Sequence, residues 1–472
     1  MIFNSFDFLW LCPLLLIGYY LLKALLEKKY KEIGNFLLIA ISYYVYMRWK
    51  PVAGLVLIYI TFITYLFARI IQKRRKASLL WIGVLLTLFP LFIFKYLNFV
   101  NDLISDILSG LSIPYASHVS NLLMPLGLSF FTLQALGYLI DVYYQRIETE
   151  KNWWHYMLFV SFFPQIASGP INKAKDLLPQ IKREREFREE QFVQGLKWIL
   201  WGMFLKVVMA DRIGIYVDSI YNNYQYMSGV SCLVSSVLYS FQIYGDFAGY
   251  SFMALGVGEL FGFELINNFK RPYLASSVTE FWHRWHISLS VWLRDYIYIP
   301  LGGSRCSKLR NYWNIFVTFL VSGIWHGANI TYIFWGILHG LFQIAEKLLG
   351  IHKSESRGVI RFLRVIVTFI LVTFAWVFFR MPTLTDGFSF IDRIFTNGDN
   401  TMATITPATT LLIIMALCIV GVKDLMDEYM NKQYSFLHHK WSLVRWSAYV
   451  GLLFLILSCG VFDAGQFIYV SF

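Results

Sequence analysis

Four of the nine histidines lie in one apolar stretch, Glu280–Gly340, which also contains six of the sixteen tryptophans. They are His283, His286, His326 and His339. An ionisable side chain inside a hydrophobic segment is costly in a bilayer and by default indicates a functional site. His326 is the clearest case because small residues surround it and leave room for a ligand, namely Ser322, Gly323, Gly327 and Ala328.

His326 has the chemistry of a general base. A neutral imidazole costs far less to bury than an ammonium or a guanidinium, and it can take up a proton near pH 7. General-base catalysis is typically worth roughly 10²–10⁴-fold in rate. The alternative is a structural histidine whose ring is satisfied by a helix carbonyl. His339, flanked by Gly336 and Gly340, is equally consistent with close helix packing and with catalytic support.

His283 and His286 fall on a predicted amphipathic helix, Trp282–Tyr296. At the helical period its tryptophans share one face and its charged residues lie opposite, which suits a membrane interface. His286 is at the edge of the aromatic face, where it can point into a cavity, whereas His283 is expected to be an interfacial residue. Both rings could reach one metal ion, but no third ligand supports them, so no metal site is predicted.

The composition is that of a membrane protein. Of the 472 residues, 57% are hydrophobic and 15% are charged, whereas roughly a quarter would be charged in a soluble protein. The mean hydropathy is +0.54. The net charge of +12 comes from short basic loops, which the positive-inside rule explains without a nucleic-acid partner. The five cysteines have no metal-binding spacing and are expected to be inert.

The alternation of apolar runs and basic loops predicts an all-α polytopic fold with roughly 10–13 transmembrane helices. The first run, about Phe8–Leu22, is expected to be a retained span rather than a cleaved signal peptide. Met157–Ile171 is short and broken by proline and glycine, which favours a re-entrant segment over a full crossing. Phe252–Leu265 is also short for a span. Ile33–Met47 is a predicted span, and Tyr312–Leu349 is predicted to be a tight hairpin of two short helices. We expect a single integral-membrane domain over residues 1–472, with its histidine-bearing core at about 150–350.

Two motifs contain the histidines: RPYLASSVTEFWHRWHISLSVWLRDYIYIPLGGSR at Arg271–Arg305 and SGIWHGA at Ser322–Ala328. Four further stretches are the opening MIFNSFDFL, FFPQIASGPI at 162–171, FLKVVMADR at 204–212 and YGDFAGYSFMALGVGELFGFEL at 244–265. Together they resemble the membrane-bound O-acyltransferase family, and within it the alginate O-acetyltransferase type. The resemblance covers most of the chain to about Gly350, whereas the C-terminal third matches only as hydrophobic spans.

The resemblance implies many helices around a funnel that opens to the cytoplasm, with re-entrant segments at its floor. It also implies that His326, in the WHG motif, is catalytic, and that His286, in RWHISLS, lies near the acceptor side of the same tunnel. The implied enzyme is a multi-pass protein of the bacterial inner (cytoplasmic) membrane that acetylates a cell-envelope or extracellular polysaccharide. Its expected donor is acetyl-CoA, with no bound cofactor, and its expected partner is a periplasmic acetyltransferase of the SGNH-hydrolase-like kind.

Acetyl transfer from a thioester needs a base, an oxyanion stabiliser and the exclusion of water. His326 is the predicted base, and its candidate polar supports are Trp325, Asn329 and Asp246. The candidate groups for the phosphates of coenzyme A are Arg284, Arg294 and Lys308. Ordinary basic loops on the cytoplasmic side explain these three residues equally well.

Two other functions are open. D-alanyl transfer to teichoic acid belongs to the same family, but the alginate-type opening and the greater length argue against it. A transporter or flippase for a lipid-linked sugar would also have re-entrant segments and polar groups at membrane depth. Such proteins usually have two pseudo-symmetric halves, and we find no internal repeat in the sequence.

Overall fold

The computed structural model describes residues 6–26, 32–48, 50–113, 115, 124–351, 357–396, 403, 406–430 and 435–462. All regular structure in these residues is helical, which confirms the all-α class. The α-helices are α1 (Phe6–Leu26), α2 (Ile33–Met47), α3 (Pro51–Lys73), α4 (Ala77–Leu91), α5 (Leu97–Gly110), α6 (Leu128–Tyr143), α7 (Trp153–Ser161), α8 (Phe163–Ile166), α9 (Ala174–Lys182), α10 (Glu189–Met203), α11 (Asp211–Tyr221), α12 (Gly229–Leu260), α13 (Val278–Arg284), α14 (Ile287–Leu293), α15 (Lys308–His326), α16 (Ile330–Leu348), α17 (Gly358–Arg380), α18 (Leu384–Thr396), α19 (Pro407–Tyr429) and α20 (Ser442–Cys459).

Within the described residues, six helical stretches are long and apolar enough to cross a membrane, so the chain is a multi-pass membrane protein. They are Pro51–Lys73, Ala77–Gly110, Glu189–Tyr221, Gly358–Arg380, Pro407–Tyr429 and Ser442–Cys459. Three shorter apolar helices accompany them, Trp10–Leu26, Ile33–Met47 and Leu128–Tyr143. The first five residues of the MIFNSFDFL motif lie outside the described residues.

One predicted boundary is wrong. Phe252–Leu265 is not a separate short segment, because α12 runs without a break for 32 residues from Gly229 to Leu260. Glycines inside a membrane helix are tolerated where they allow close contact with a neighbouring helix. A Cβ on Gly256 would lie 2.4 Å from the carbonyl oxygen of Gly195 on α10. Gly256 is therefore a helix-packing position.

The chain forms two compact units. The first comprises the residues up to Phe192 together with Gly258–Ile266. It contains the predicted re-entrant segment, whose break is confirmed because α7 ends at Ser161 and α8 begins at Phe163 with Pro164 in its first turn. Every residue from Leu158 to Asn172 is buried. Its entry into the membrane stays a prediction.

The second unit comprises Val193–Val257 and the chain from Asn267 onward. It includes all four histidines of the Glu280–Gly340 stretch, so the candidate site can be described within this unit alone. Its α10 and α12 cross where a Cβ on Gly202 would lie 2.5 Å from the carbonyl oxygen of Gly249. Four of the six candidate spans contribute helices to this unit.

Candidate active site

His326 is the last residue of α15 and lies in a cage of aromatic rings. The residue is 3% exposed. Its ring centroid is 4.9 Å from those of Trp325 and Trp335 and 5.3 Å from that of Phe379. Trp335 is on α16 and Phe379 on α17, so three helices build the cage. The polar ring of His326 is thus held in surroundings from which water is largely excluded.

Two glycines bring α15 and α16 into backbone contact. A Cβ on Gly336 would lie 2.4 Å from the carbonyl oxygen of Phe319 and 3.2 Å from the Cα of Gly323. A Cβ on Gly323 would lie 2.4 Å from the carbonyl oxygen of Tyr332. This close approach confirms the tight hairpin that the sequence predicts. It also sets the distance between His326 on one helix and Trp335 on the other.

Asn329 begins α16 rather than supplying a polar group to the cage. Its Oδ1 accepts a hydrogen bond from the backbone N–H of Thr331 at 3.0 Å, and its Nδ2 donates to the carbonyl of Pro382 at 2.8 Å. An asparagine at this position satisfies one of the unpaired N–H groups of the first helical turn. Asn329 therefore fixes the short connection that follows His326.

His339 lies one turn after Trp335 on α16 and is fully buried. The indole N–H of Trp282, on α13, donates to its Nδ1 at 3.2 Å. The ring centroids of His339 and Trp335 are 4.9 Å apart, and Trp376 stacks on Trp335 at 5.6 Å. Ring contacts therefore run from His326 through Trp335 to His339, so His339 is separated from the candidate base by a single indole.

The predicted continuous helix Trp282–Tyr296 is wrong. α13 ends at Arg284, α14 begins at Ile287, and His286 between them has a φ of +42°. Asn268 holds this bend, because its carbonyl oxygen accepts from the N–H of Ile287 and its Oδ1 accepts from the N–H of Ser288, both at 3.0 Å. The tryptophans of this segment are buried inside the protein, so the aromatic face does not lie on a membrane interface.

The bend buries His286 completely. Its ring packs edge-on against Phe247 at 4.7 Å and lies 6.2 Å from the ring of Trp325. Burial lowers the pKa of His286 to about 3, so the imidazole is neutral at physiological pH. Trp325 contacts both His286 and His326, so a single indole links the two histidines.

Glu346, near the end of α16, anchors α13. Its carboxylate accepts hydrogen bonds from the backbone N–H groups of Val278 and Thr279, and from the Thr279 hydroxyl at 2.9 Å. A carboxylate is favourable at the first turn of a helix, where N–H groups lack partners within the helix. Trp335, His339 and Glu346 share one face of α16. One helix therefore positions the cage, the second histidine and the α13 segment.

A cavity of about 340 Å³ lies beside α13, α14 and α16. The polar side chains in its lining include His283, Arg294, Tyr298, Gln343 and Lys347. Trp282 forms part of its wall and donates to His339. The cavity is thus one side chain away from His339. His283, which was expected to be interfacial, lines this cavity together with the predicted donor-binding residue Arg294.

The structure assigns two other predicted residues to ion pairs. Asp246 accepts from the buried ammonium of Lys206 at 2.5 Å, and Asp211 accepts from the same ammonium at 2.6 Å. Arg284 bonds the carboxylates of Glu280 at 2.6 Å and Glu428 at 2.8 Å. Lys308 is exposed at the first residue of α15. Among the described residues, no group of three or more histidine, cysteine or carboxylate side chains is arranged to hold a metal ion.

Some residues of the site are not singled out by the sequence. Trp335 precedes His339 by one helical turn, so its position beside a histidine could be predicted from the sequence. Phe379 and Trp376 lie far along the chain in a span that matches no motif, and no local pattern connects them to His326. Lys206 is a lone cation in an apolar run, the same signal that drew attention to the histidines.

The family model for membrane-bound O-acyltransferases matches residues 142–384, a range that includes every helix of the candidate site. The chain belongs to this family and is an acyltransferase.

Two relatives have names that describe the transfer of acetyl groups. The chain is 34% identical to the probable alginate O-acetylase AlgI of Pseudomonas aeruginosa, over 91% of this chain and 83% of that protein. It is also 34% identical to the peptidoglycan O-acetyltransferase of Helicobacter pylori, over 79% of this chain and 75% of that protein. The teichoic acid D-alanyltransferase of Bacillus subtilis is 26% identical over 65% of this chain and 79% of that protein.

Proposed function

We propose that this protein is an O-acetyltransferase that moves an acetyl group from a cytoplasmic donor, acetyl-CoA, across the membrane for O-acetylation of a cell-envelope polysaccharide. The observation that carries the proposal is the position of His326, buried among aromatic rings at the end of a helix. The relatives named for alginate and peptidoglycan O-acetylation support acetyl as the transferred group and a polysaccharide as the acceptor.

In the proposed mechanism His326 is the general base. It takes the proton of an acceptor hydroxyl while the hydroxyl oxygen attacks the carbonyl carbon of the thioester. The carbon–sulfur bond then breaks, and the departing thiolate takes up the proton from the imidazolium. The ring cage keeps out water, which would otherwise hydrolyse the thioester. General-base catalysis of this kind is worth roughly 10²–10⁴-fold in rate.

The donor is proposed to enter the cavity beside α13. Its volume of about 340 Å³ is within the usual range for small-molecule sites, roughly 300–1,000 Å³. Arg294 and Lys347 in its lining provide positive charge for the phosphates of coenzyme A. Trp282 in the wall connects this cavity to His339 and, through Trp335, to the His326 cage.

The acceptor is proposed to be reached from the other face of the membrane. His286, one indole away from His326, is proposed to lie on that route. The acetyl group would pass there to the polysaccharide directly or to a periplasmic acetyltransferase of the SGNH-hydrolase-like kind. The proposal places the protein in the inner membrane of a bacterium.

The test uses His326→Gln in a strain that lacks the native gene. We expect polysaccharide O-acetylation, measured by mass spectrometry of envelope glycans, to fall by roughly 10²-fold or more. His439→Ala, in the segment before α20, is the control and should retain acetylation at the wild-type level. Retained acetylation in the His326 variant, with normal membrane insertion, would refute the catalytic role.

A second measurement separates the alternative functions. The purified protein should release free coenzyme A from acetyl-CoA when an acceptor is present. A flippase would release none. A D-alanyl transferase would instead consume a D-alanyl carrier thioester and leave acetyl-CoA intact.

A further inference from the structure

Two buried N–H groups beside His326 have no hydrogen-bond acceptor among the described residues. They are Nε1 of Trp335 and Nε2 of His339. Both residues are 0% exposed. The ring of Trp335 is 4.9 Å from that of His326 and 4.9 Å from that of His339. Both groups therefore lie within two ring contacts of the candidate base.

The hydrogen bond from Trp282 makes His339 Nε2 a donor. An indole N–H can only donate, so Nδ1 of His339, which receives it at 3.2 Å, carries no proton. Burial disfavours the doubly protonated imidazolium. The single proton of the neutral ring is therefore on Nε2. Trp282 is a positioning residue because it selects this tautomer.

A buried donor without an acceptor is costly, and such groups are rare in folded proteins. Some polar groups of the same unit are satisfied: the amide of Asn329 bonds the backbone at both ends, and Asp246 accepts from Lys206. The N–H groups of Trp335 and His339 are among the exceptions in this unit, and both lie within two ring contacts of His326. Such exceptions are expected where a substrate supplies the missing acceptor.

We propose that the N–H groups of Trp335 and His339 bind the carbonyl oxygen of the thioester donor and stabilise the oxyanion that forms on it. This inference rests on the proposed acyl transfer. As the acceptor oxygen bonds to the carbonyl carbon, the C=O π pair moves onto the carbonyl oxygen and His326 takes the hydroxyl proton. The two N–H groups donate to that negative oxygen. When the C=O bond re-forms, the C–S bond breaks and the thiolate receives the proton from His326.

The sequence suggested Trp325, Asn329 and Asp246 as polar supports for His326, and this assignment names different donors. Asp246 carries a carboxylate, which when ionised can accept but not donate. Asn329 has both ends of its amide bonded to the backbone. The donors instead come from α16, the helix that contacts the His326-bearing helix through Gly336 and Gly323.

The experiment measures kcat and KM of the purified full-length protein with acetyl-CoA and a soluble acceptor glycan. Trp335→Phe keeps an aromatic ring, although a smaller one, and removes one N–H. The pair Trp282→Phe with His339→Phe removes the second N–H without leaving the Trp282 indole unpaired. Each should lower kcat by roughly 10²-fold, with KM for the donor within about threefold of wild type. Trp285→Phe, a buried indole elsewhere in the same ring cluster, controls for lost ring volume and should change kcat by less than about threefold.

A conservative replacement tests the tautomer argument. In His339→Gln, the side-chain amide places an N–H donor near the position of Nε2, and it has no tautomer for Trp282 to select. Trp282→Phe should therefore lower kcat about tenfold when His339 is present, and by less than about twofold when residue 339 is glutamine. Equal effects of Trp282→Phe in both backgrounds would overturn the positioning role.

The outcomes separate this inference from the proposed function. One outcome would overturn the oxyanion assignment and leave the proposed acyl transfer intact. In that outcome His326→Gln loses transfer, whereas Trp335→Phe and the double variant keep the wild-type kcat. A rise in KM at unchanged kcat also overturns it, because the groups would then stabilise the ground state and the transition state equally. Absence of transfer by the unaltered protein refutes both. If Trp335→Phe does not fold, the double variant at residues 282 and 339 decides.

Discussion

Gly336→Ala should disable the enzyme while leaving its helices formed. The added Cβ would lie 2.4 Å from the carbonyl oxygen of Phe319, whereas ordinary contact begins at 3.4 Å. The α15 and α16 backbones must therefore separate by roughly 1 Å, since the opposing atom is a backbone carbonyl that no side-chain rotation can move. Overpacking of this kind costs about 1–3 kcal/mol of stability.

The consequence for activity follows from what the two helices carry. His326 is on α15, and Trp335 and His339 are on α16, so a shift between the helices moves the base relative to both. A misplacement of about 1 Å in an active site can lower the rate by roughly 10²-fold. We expect kcat to fall by about that factor, while the helical content measured by circular dichroism stays at the wild-type value.

Gly340→Ala provides the matched control on the same helix. A Cβ at Gly340 would meet the Phe319 Cβ at 3.4 Å and the Phe316 Cα at 3.5 Å, which are ordinary contacts. The substitution also adds roughly 1 kcal/mol of helix propensity. It should keep kcat within about threefold of wild type. Similar kcat values for the two variants would refute the argument that the Gly336 contact sets the geometry of the site.

Three further predictions concern charged groups. Lys206→Met leaves two buried aspartates without their shared ammonium and should destabilise the protein by about 3–5 kcal/mol. The loss should be seen as a lower melting temperature in detergent, and an unchanged melting temperature would contradict the buried pairing. Arg294→Ala should raise the donor KM several-fold, because Arg294 lines the cavity while it pairs with Asp295. Arg284→Ala should lower thermal stability without changing that KM, because Arg284 is held by Glu280 and Glu428 and is not part of the cavity lining. Equal KM effects would argue against the cavity as the donor site. Burial raises the pKa of Glu280, but hydrogen bonds from Ser276 and the charge of Arg284 outweigh it and hold the pKa below its usual 4.5. The contribution of Glu280 to stability is therefore complete above about pH 4.5 and is lost as the pH falls through the lower folded-state pKa. Glu280→Gln should therefore make the melting temperature less dependent on pH between about pH 5 and 3.

The helical class and the positions of most long helices could be predicted because the length of each apolar run can be read from the sequence. The predicted bounds of Ile33–Met47 are those of α2, and the predicted hairpin at Tyr312–Leu349 is formed by α15 and α16. These features depend on local composition and on residues close in sequence. The same is true of the break at Pro164.

The bend at His286 could not be predicted from periodicity. It depends on Asn268, which lies well before the segment and bonds the N–H groups of Ile287 and Ser288. The cage around His326 likewise depends on Phe379, which comes from a helix with no recognisable motif. Hydrophobic pattern specifies which side chains are buried, but it does not specify which distant helix they meet.

Several departures from ordinary local structure in the second unit lie close to His326. His286 has a left-handed backbone, which costs of order 1–3 kcal/mol in a residue other than glycine. Trp335 and His339 have buried donors without acceptors among the described residues. Groups that would be costlier to bury, such as Lys206, are paired with carboxylates in the same unit. Buried charges of this unit, such as Lys206, are paired, whereas backbone strain and donors without acceptors are retained near His326. Such departures are expected at functional sites. The functional reason is supplied by a substrate whose carbonyl oxygen completes the hydrogen bonding of the site.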